Sequence, residues 1–180
     1  AFFSAGYMKD HVGSPTQVIR TIPIDRGVDV SQTVIDEELI SAMIAAHDKL
    51  AILNNCQCRQ AAYLEGEPCK RAPATEGCLA FGSFATFFVN EGGARYVSAE
   101  EMTEAVHKRW EHQLILFGAN VRPESPNLLC ACCDCCCQML EGLILPDPSI
   151  VVTPPAFLVA VDESLCTNCG KCVKACNTDA

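Results

Sequence analysis

No apolar run in this 180-residue chain is long enough to cross a bilayer, so a membrane-spanning reading has no support. No H-E-x-x-H helix, Gly-rich phosphate loop or Ser/His/Asp arrangement is visible either. Hydrolase and nucleotide-binding readings therefore have little to stand on. Basic residues are scarce: 13 Lys and Arg against 22 Asp and Glu leave a net charge of −9. Nucleic-acid phosphates attract the opposite balance, so nucleic acid is not an expected partner. No secretory signal is visible at Ala1–Lys9.

What the chain has in abundance is cysteine, 14 in all. A chain this long buries a core without covalent staples, so disulfides are not needed for folding. The cysteines are bunched in three islands, and six of them fall between Cys130 and Cys137. Neighbours that close rarely bridge one another without strain. Ligation of metal or cluster in a reducing, cytoplasmic setting is the better reading.

The third island is the most specific. Cys166, Cys169, Cys172 and Cys176 follow C-x2-C-x2-C-x3-C. Two-residue gaps let a tight loop wrap thiolates around one [4Fe–4S] cluster, with loop amides donating to its sulfides. Gly170 relieves the backbone of such a loop, and Lys171 and Lys174 offset cluster charge. Structural zinc usually takes two separated ligand pairs instead. In two-cluster ferredoxins the fourth cysteine of such a run ligates the other cluster. Cys176 is thus expected to belong to a second centre, and Asn177 stands where proline usually follows. Either the sequence is a piece of a longer protein, as its start at Ala1 without methionine also suggests, or the earlier islands supply the missing ligands.

The first island is Cys56, Cys58, Cys69 and Cys78, four cysteines that can close around one centre. Arg59, Lys70 and Arg71 sit beside them, and positive neighbours favour thiolates. A second [4Fe–4S] cluster is the leading expectation and zinc the rival. The second island comprises Cys130, Cys132, Cys133, Cys135, Cys136 and Cys137, more than one cluster needs. On a helix, Cys133, Cys136, Cys137 and Leu140 share a face while Cys132 and Cys135 point elsewhere, so the island can feed two centres. Packing as small hydrophobes, or a redox-active vicinal pair such as Cys132-Cys133 in a thiol or disulfide reductase, are the alternatives.

The rest of the pattern is read coarsely. Residues 1–32 are loops with one short strand around Val18–Ile22. Helices are expected over Asp36–Asp48, with His47 at the core boundary, and over Leu79–Asn90. Gly92-Gly93 stops the latter, and Tyr96-Val97 is a brief strand. Ser98-Ala-Glu-Glu101 is a capping box. It opens a helix with Met102, Val106, Trp110 and Leu114 on one side, and with His107 and His112 solvated. Residues 119–129 read as a loop, and a helix runs from the second island through Leu143. Pro146, Pro148, Pro154 and Pro155 mark a linker, and Phe157–Val161 a strand.

The stretches Cys56-Gln-Cys-Arg59, Cys78-Leu-Ala-Phe-Gly82, Gly93-Ala-Arg95 with Ser98-Ala-Glu-Glu101, Cys130-Ala-Cys-Cys-Asp-Cys-Cys-Cys137 and the final run occur in this order. Over residues 50–180 the chain resembles a family of cytoplasmic 4Fe–4S ferredoxin-like proteins of anaerobic bacteria and archaea. That resemblance implies an electron-transfer protein, normally with a second C-x2-C-x2-C-x3-C run that is missing here. The expected architecture is α+β. A mostly helical cysteine-rich domain spans residues 1–145 and a ferredoxin-type 4Fe–4S module residues 146–180. The expected function is electron transfer through one or more [4Fe–4S] clusters between redox partners, one of which presents a basic docking surface. Net acidity alone can equally serve solubility. A reductase at Cys130–Cys137 and a structural zinc module are the alternative functions.

Overall fold

The structure is a computed structural model, and it describes residues 19–21, 40–119, 128–137, 140 and 160–176. The expected linker prolines, the boundary at 145/146, most of the 157–161 strand and most of the helix running to Leu143 lie outside the described residues.

The described part is α+β, organised by an antiparallel sheet. Six strands, β1 (Ile19–Thr21), β2 (Leu50–Leu53), β3 (Leu79–Phe81), β4 (Ala94–Val97), β5 (Ile115–Ala119) and β6 (Leu128–Cys132), lie in the order β1-β5-β6-β3-β2-β4. All pairings are antiparallel. Four helices intervene: α1 (Ile40–Ala45), α2 (Gln57–Leu64), α3 (Gly82–Asn90) and α4 (Ala99–Glu111). A fifth, α5 (Lys171–Ala175), lies in the terminal run. The expectation of a mostly helical cysteine-rich region thus gives way to a sheet with helices packed on it. Among the described residues no helix is long and apolar enough to cross a membrane.

Strand alternation gives the sheet two apolar faces. On one face Leu50, Leu79, Phe81, Leu116, Leu129 and Ala131 pack against Met43 and Ile44 of α1 and Met102 and Val106 of α4. On the other, Ala51, Leu53 and Ala80 pack with Ala85, Phe88 and Val89 of α3, and Cys78 and Leu128 join them. Each large side chain so buried contributes about 1.5–3 kcal/mol.

The helix expected over Leu79–Asn90 is strand first. Gly82 has φ 55, its N–H donates to the Lys49 carbonyl at 2.8 Å, and the chain turns there from β3 into α3. Ser98 caps α4 as expected, accepting from the Glu101 N–H at 3.2 Å. The reciprocal half of the box differs: the Glu101 carboxylate pairs with Arg95 at 2.6 Å. Met102 and Val106 are buried, but Trp110 is exposed, and Leu114 is buried beyond the helix end. His47 sits at the core boundary, its Nδ1 2.8 Å from the Met43 carbonyl and its ring edge-on to Phe81. His112 is half-buried against Glu76 rather than solvated. The second island is not helical at its start: Cys130 and Cys132 lie in β6, and a turn follows.

Candidate metal centres

The cysteines divide by sheet face and not by island. In β6, Cys130 and Cys132 alternate with Leu129 and Ala131 and so point to the α3 side. Cys133, just past the strand end, is buried in the opposite core, and Cys69 and Cys136 pack against it. Of the vicinal pair, only Cys133 belongs to the opposite core, although both reach the wall of one cavity, and the structure holds the cysteines as thiols rather than disulfides.

On the Cys133 side, Cys69, Cys133, Cys135 and Cys136 bring their sulfurs within 4.8 Å of one another. Cys69 lies 3.6 Å from both Cys133 and Cys135, and Cys135 lies 3.5 Å from Cys136. A tetrahedral ion with metal–sulfur bonds of about 2.3 Å holds its sulfurs roughly 3.8 Å apart. The set therefore fits one thiolate-bound ion. A four-iron cube places iron between each thiolate and its centre, and so needs its sulfurs farther apart. Arg71 builds this set. Its guanidinium holds Asp134, inside the Cys133–Cys136 turn, at 2.6 and 3.1 Å, and Gln113 at 2.7 Å. Its backbone N–H donates to the Cys69 sulfur at 3.4 Å. Burial opposes ionisation of Cys69, but the Ala72 and Arg71 amides and the Cys135 and Cys133 thiols outweigh it, lowering its pKa. Burial, then the neighbouring Cys69, pushes Cys133 up to about 12.

The other six early cysteines, Cys56, Cys58, Cys78, Cys130, Cys132 and Cys137, line a cavity of about 120 Å³ on the α3 side, and Cys133 of the compact set also reaches its wall. Leu53, Phe88 and Leu128 are its large apolar members, and Gln57, Arg59 and Ala131 also line it. Cys78 and Cys130 lie on adjacent strands with their sulfurs 3.8 Å apart. Cys56 caps α2 and Cys58 sits in its first turn. Hydrogen bonds from Cys132 and Cys78, helped by the charge of Arg59, hold the Cys130 thiol well below its ordinary pKa. The first island is thus not one centre: Cys69 leaves it for the compact set, and the other three face this cavity.

Between the two groups lies Arg59, only 1% exposed. It donates to the Ala131 carbonyl at 2.9 Å, to Pro73 at 3.2 Å, and to the Glu76 carbonyl. Among the described residues it has no carboxylate partner. Burial would depress its pKa, but Cys56, Cys133, Cys69 and Cys78 more than offset this and keep it raised. A buried cation without a counter-charge is strongly unfavourable. The thiols whose ionisation is favoured beside it are Cys69 on one side and Cys130 on the other, both held below their ordinary pKa. The sequence shows Arg59 only as a positive neighbour; its burial and its three carbonyl partners follow from the tertiary fold. The sequence signal of the clamp is Asp134, an acid inside a cysteine turn with Arg71 as its distant partner.

In the terminal run, Cys166, Cys169 and Cys172 are exposed and Cys176 is half-buried. Asn168 and Gly170 both take left-handed backbone, with φ 53 and 69. The Lys171 N–H, then the Thr167 side chain, lower the pKa of Cys169. Among the described residues the compact set is where ligand atoms gather within 4.8 Å; the terminal four are not drawn in that far.

These groups define a cysteine-rich protein with candidate metal sites. Residues 158–180 match a family model described as a 4Fe-4S binding domain. No curated protein and no solved structure matches the chain. The match and the cysteine groups together support iron–sulfur binding.

Proposed function

We propose that this chain is an electron-transfer protein whose terminal run carries a [4Fe–4S] cluster. Cys166, Cys169 and Cys172 serve as its ligands, and Cys176 either completes it or reaches a second centre. The observation that carries the reading is the C-x2-C-x2-C-x3-C spacing inside the segment that matches a 4Fe-4S binding domain. When bound, the cluster supplies one-electron chemistry. The chain's own residues bind it, present amides to it and leave three of its cysteines at the surface, where a partner can approach. A net charge of −9 suits a redox partner with a basic face. Fourteen thiols suit a reducing compartment such as the cytoplasm.

The test is iron, sulfide and zinc per chain on anaerobically purified protein, with electron paramagnetic resonance after reduction. A component of the reduced-cluster signal that disappears in Cys169→Ser, together with a fall in iron and sulfide per chain, bears the reading out. Absence of iron sinks it.

A second reading concerns the compact set. Sulfurs within 4.8 Å suit a single zinc ion, which would brace the β6 turn without redox chemistry. One zinc per chain, lost in Cys135→Ser with iron unchanged, is the expected result.

A further inference from the structure

The cavity on the α3 face belongs neither to the terminal run nor to the compact set. We propose that it is a second, polynuclear iron–sulfur site, held by cysteines from Cys56, Cys58, Cys78, Cys130, Cys132 and Cys137.

Four observations lead there. The first is number: besides Cys133, which belongs to the compact set, six cysteines line one cavity, whereas a single tetrahedral ion takes four. The second is room. The compact set has its sulfurs already at the spacing one ion requires, whereas these six surround about 120 Å³. A water molecule's share of liquid volume is about 30 Å³, so the space is that of several atoms and not of one ion. The third is lining. Cysteines make up about half of the wall, with Leu53, Phe88 and Leu128 beside them and Gln57 and Arg59 as its polar members, and a soft, sulfur-rich centre suits such walls. The fourth is charge. A cluster bound by thiolates is anionic, and Arg59, buried beside the cavity without a carboxylate partner among the described residues, provides the compensating cation.

The fold explains why these residues meet. Leu79 pairs with Leu129 across β3 and β6, which sets Cys78 opposite Cys130 one step along the ladder. Alternation adds Cys132 on the same face. The start of α2 swings Cys56 and Cys58 over them, the Cys56 N–H being tied to the Ala74 carbonyl at 2.7 Å. Cys137, whose N–H donates to the Cys133 carbonyl at 3.2 Å, returns from the far side of the turn. Loading needs sulfide with ferrous and ferric iron in equal parts, since two Fe2+, two Fe3+ and four S2− make a [4Fe–4S]2+ core with no outside oxidant. Each ligating thiol gives up a proton and gains an iron–sulfur bond.

This site shares with the proposed function only its supply of iron and sulfide, and the two are separable. A full-length Cys166→Ser/Cys169→Ser/Cys172→Ser variant changes three exposed residues and leaves the sheet alone. After anaerobic reconstitution with equal parts of ferrous and ferric iron and with sulfide it is expected to keep about four irons and four sulfides per chain. In protein loaded with zinc before reconstitution, adding Cys78→Ser and Cys130→Ser should drop iron and sulfide to near zero, while zinc at the compact set is retained. That retention doubles as the folding control, because Cys133 extends from β6. The proposal is overturned if the triple variant holds no iron, or iron without sulfide. It is also overturned if the cluster survives the Cys78 and Cys130 changes. Failure of the terminal run appears differently, as a wild-type iron content equal to that of the triple variant.

Discussion

Arg59→Met tests whether a buried cation holds the two thiol groups in place. Met fills much of the same space but has no charge and no donor. Three carbonyls, those of Pro73, Glu76 and Ala131, lose the guanidinium. A buried acceptor left without its donor costs about 1–3 kcal/mol. The low end for each gives about 3 kcal/mol, and losing one partner of a buried charged pair falls at about 3–5 kcal/mol. A loss of about 3–5 kcal/mol is therefore expected. For a chain of this size that lowers the melting temperature by roughly 6–20 °C. Arg59→Lys keeps the charge, but a single ammonium does not span three carbonyls, so it should recover only part of the loss. The assay is thermal unfolding of metal-loaded and chelator-stripped protein, with metal content measured alongside. Ligation locks thiols in their charged form, so the deficit should be larger when metal is bound. A variant within about 1 kcal/mol of wild type, or equal deficits in the two states, would refute the argument.

Three further outcomes are expected. Arg71→Ala removes the clamp on Asp134 and should weaken metal binding at Cys69, Cys133, Cys135 and Cys136 by about 10–100-fold in chelator competition, leaving iron elsewhere unchanged. Gly77→Ala places a Cβ against the Leu53 carbonyl. Backbone on both sides cannot yield cheaply, so a loss at or above the usual 1–3 kcal/mol of overpacking should appear in denaturant titration. At Glu76, burial opposes ionisation, but Lys108 at 2.6 Å, with His112 and Arg109, outweighs it and holds the carboxyl below its ordinary value of 4.5. A carboxylate depressed in the folded state adds stability above the unfolded value, and that stability fades as pH falls through the folded one. Glu76→Gln should therefore flatten the decline in stability of the stripped protein below about pH 4.5, as read by chemical denaturation across pH.

How much of this was legible in the sequence depends on how far apart the cooperating residues lie along the chain. The terminal run was legible because its ligands sit in a local loop, where spacing alone brings thiols together. The cap at Ser98 was legible for the same reason: donor and acceptor are three residues apart. The sheet was harder. β3 spans three residues and flows into α3 without a polar break, so Leu79–Asn90 reads as one apolar helix until Gly82 is seen at φ 55. β5 and β6 are bound by pairing to each other and to β1 and β3, which no local pattern announces.

The two early islands show where counting along a chain misleads. Clustering in sequence suggested one centre per island, with a helix distributing the second. In a strand, successive side chains point to opposite faces, so adjacent cysteines are the least suited to share an ion. Cys132 and Cys133 diverge at the end of β6, whereas Cys78 and Cys130, 52 residues apart, come within 3.8 Å. The repeated pattern from Cys130 to Cys137 is then explained as one strand end and one turn serving two environments. Arg59 binds the Ala131 carbonyl at that junction, so displacing β6 disturbs both groups at once. Metal binding on one face should for that reason stabilise the other, a coupling visible as a higher affinity of the compact set when the cavity is filled.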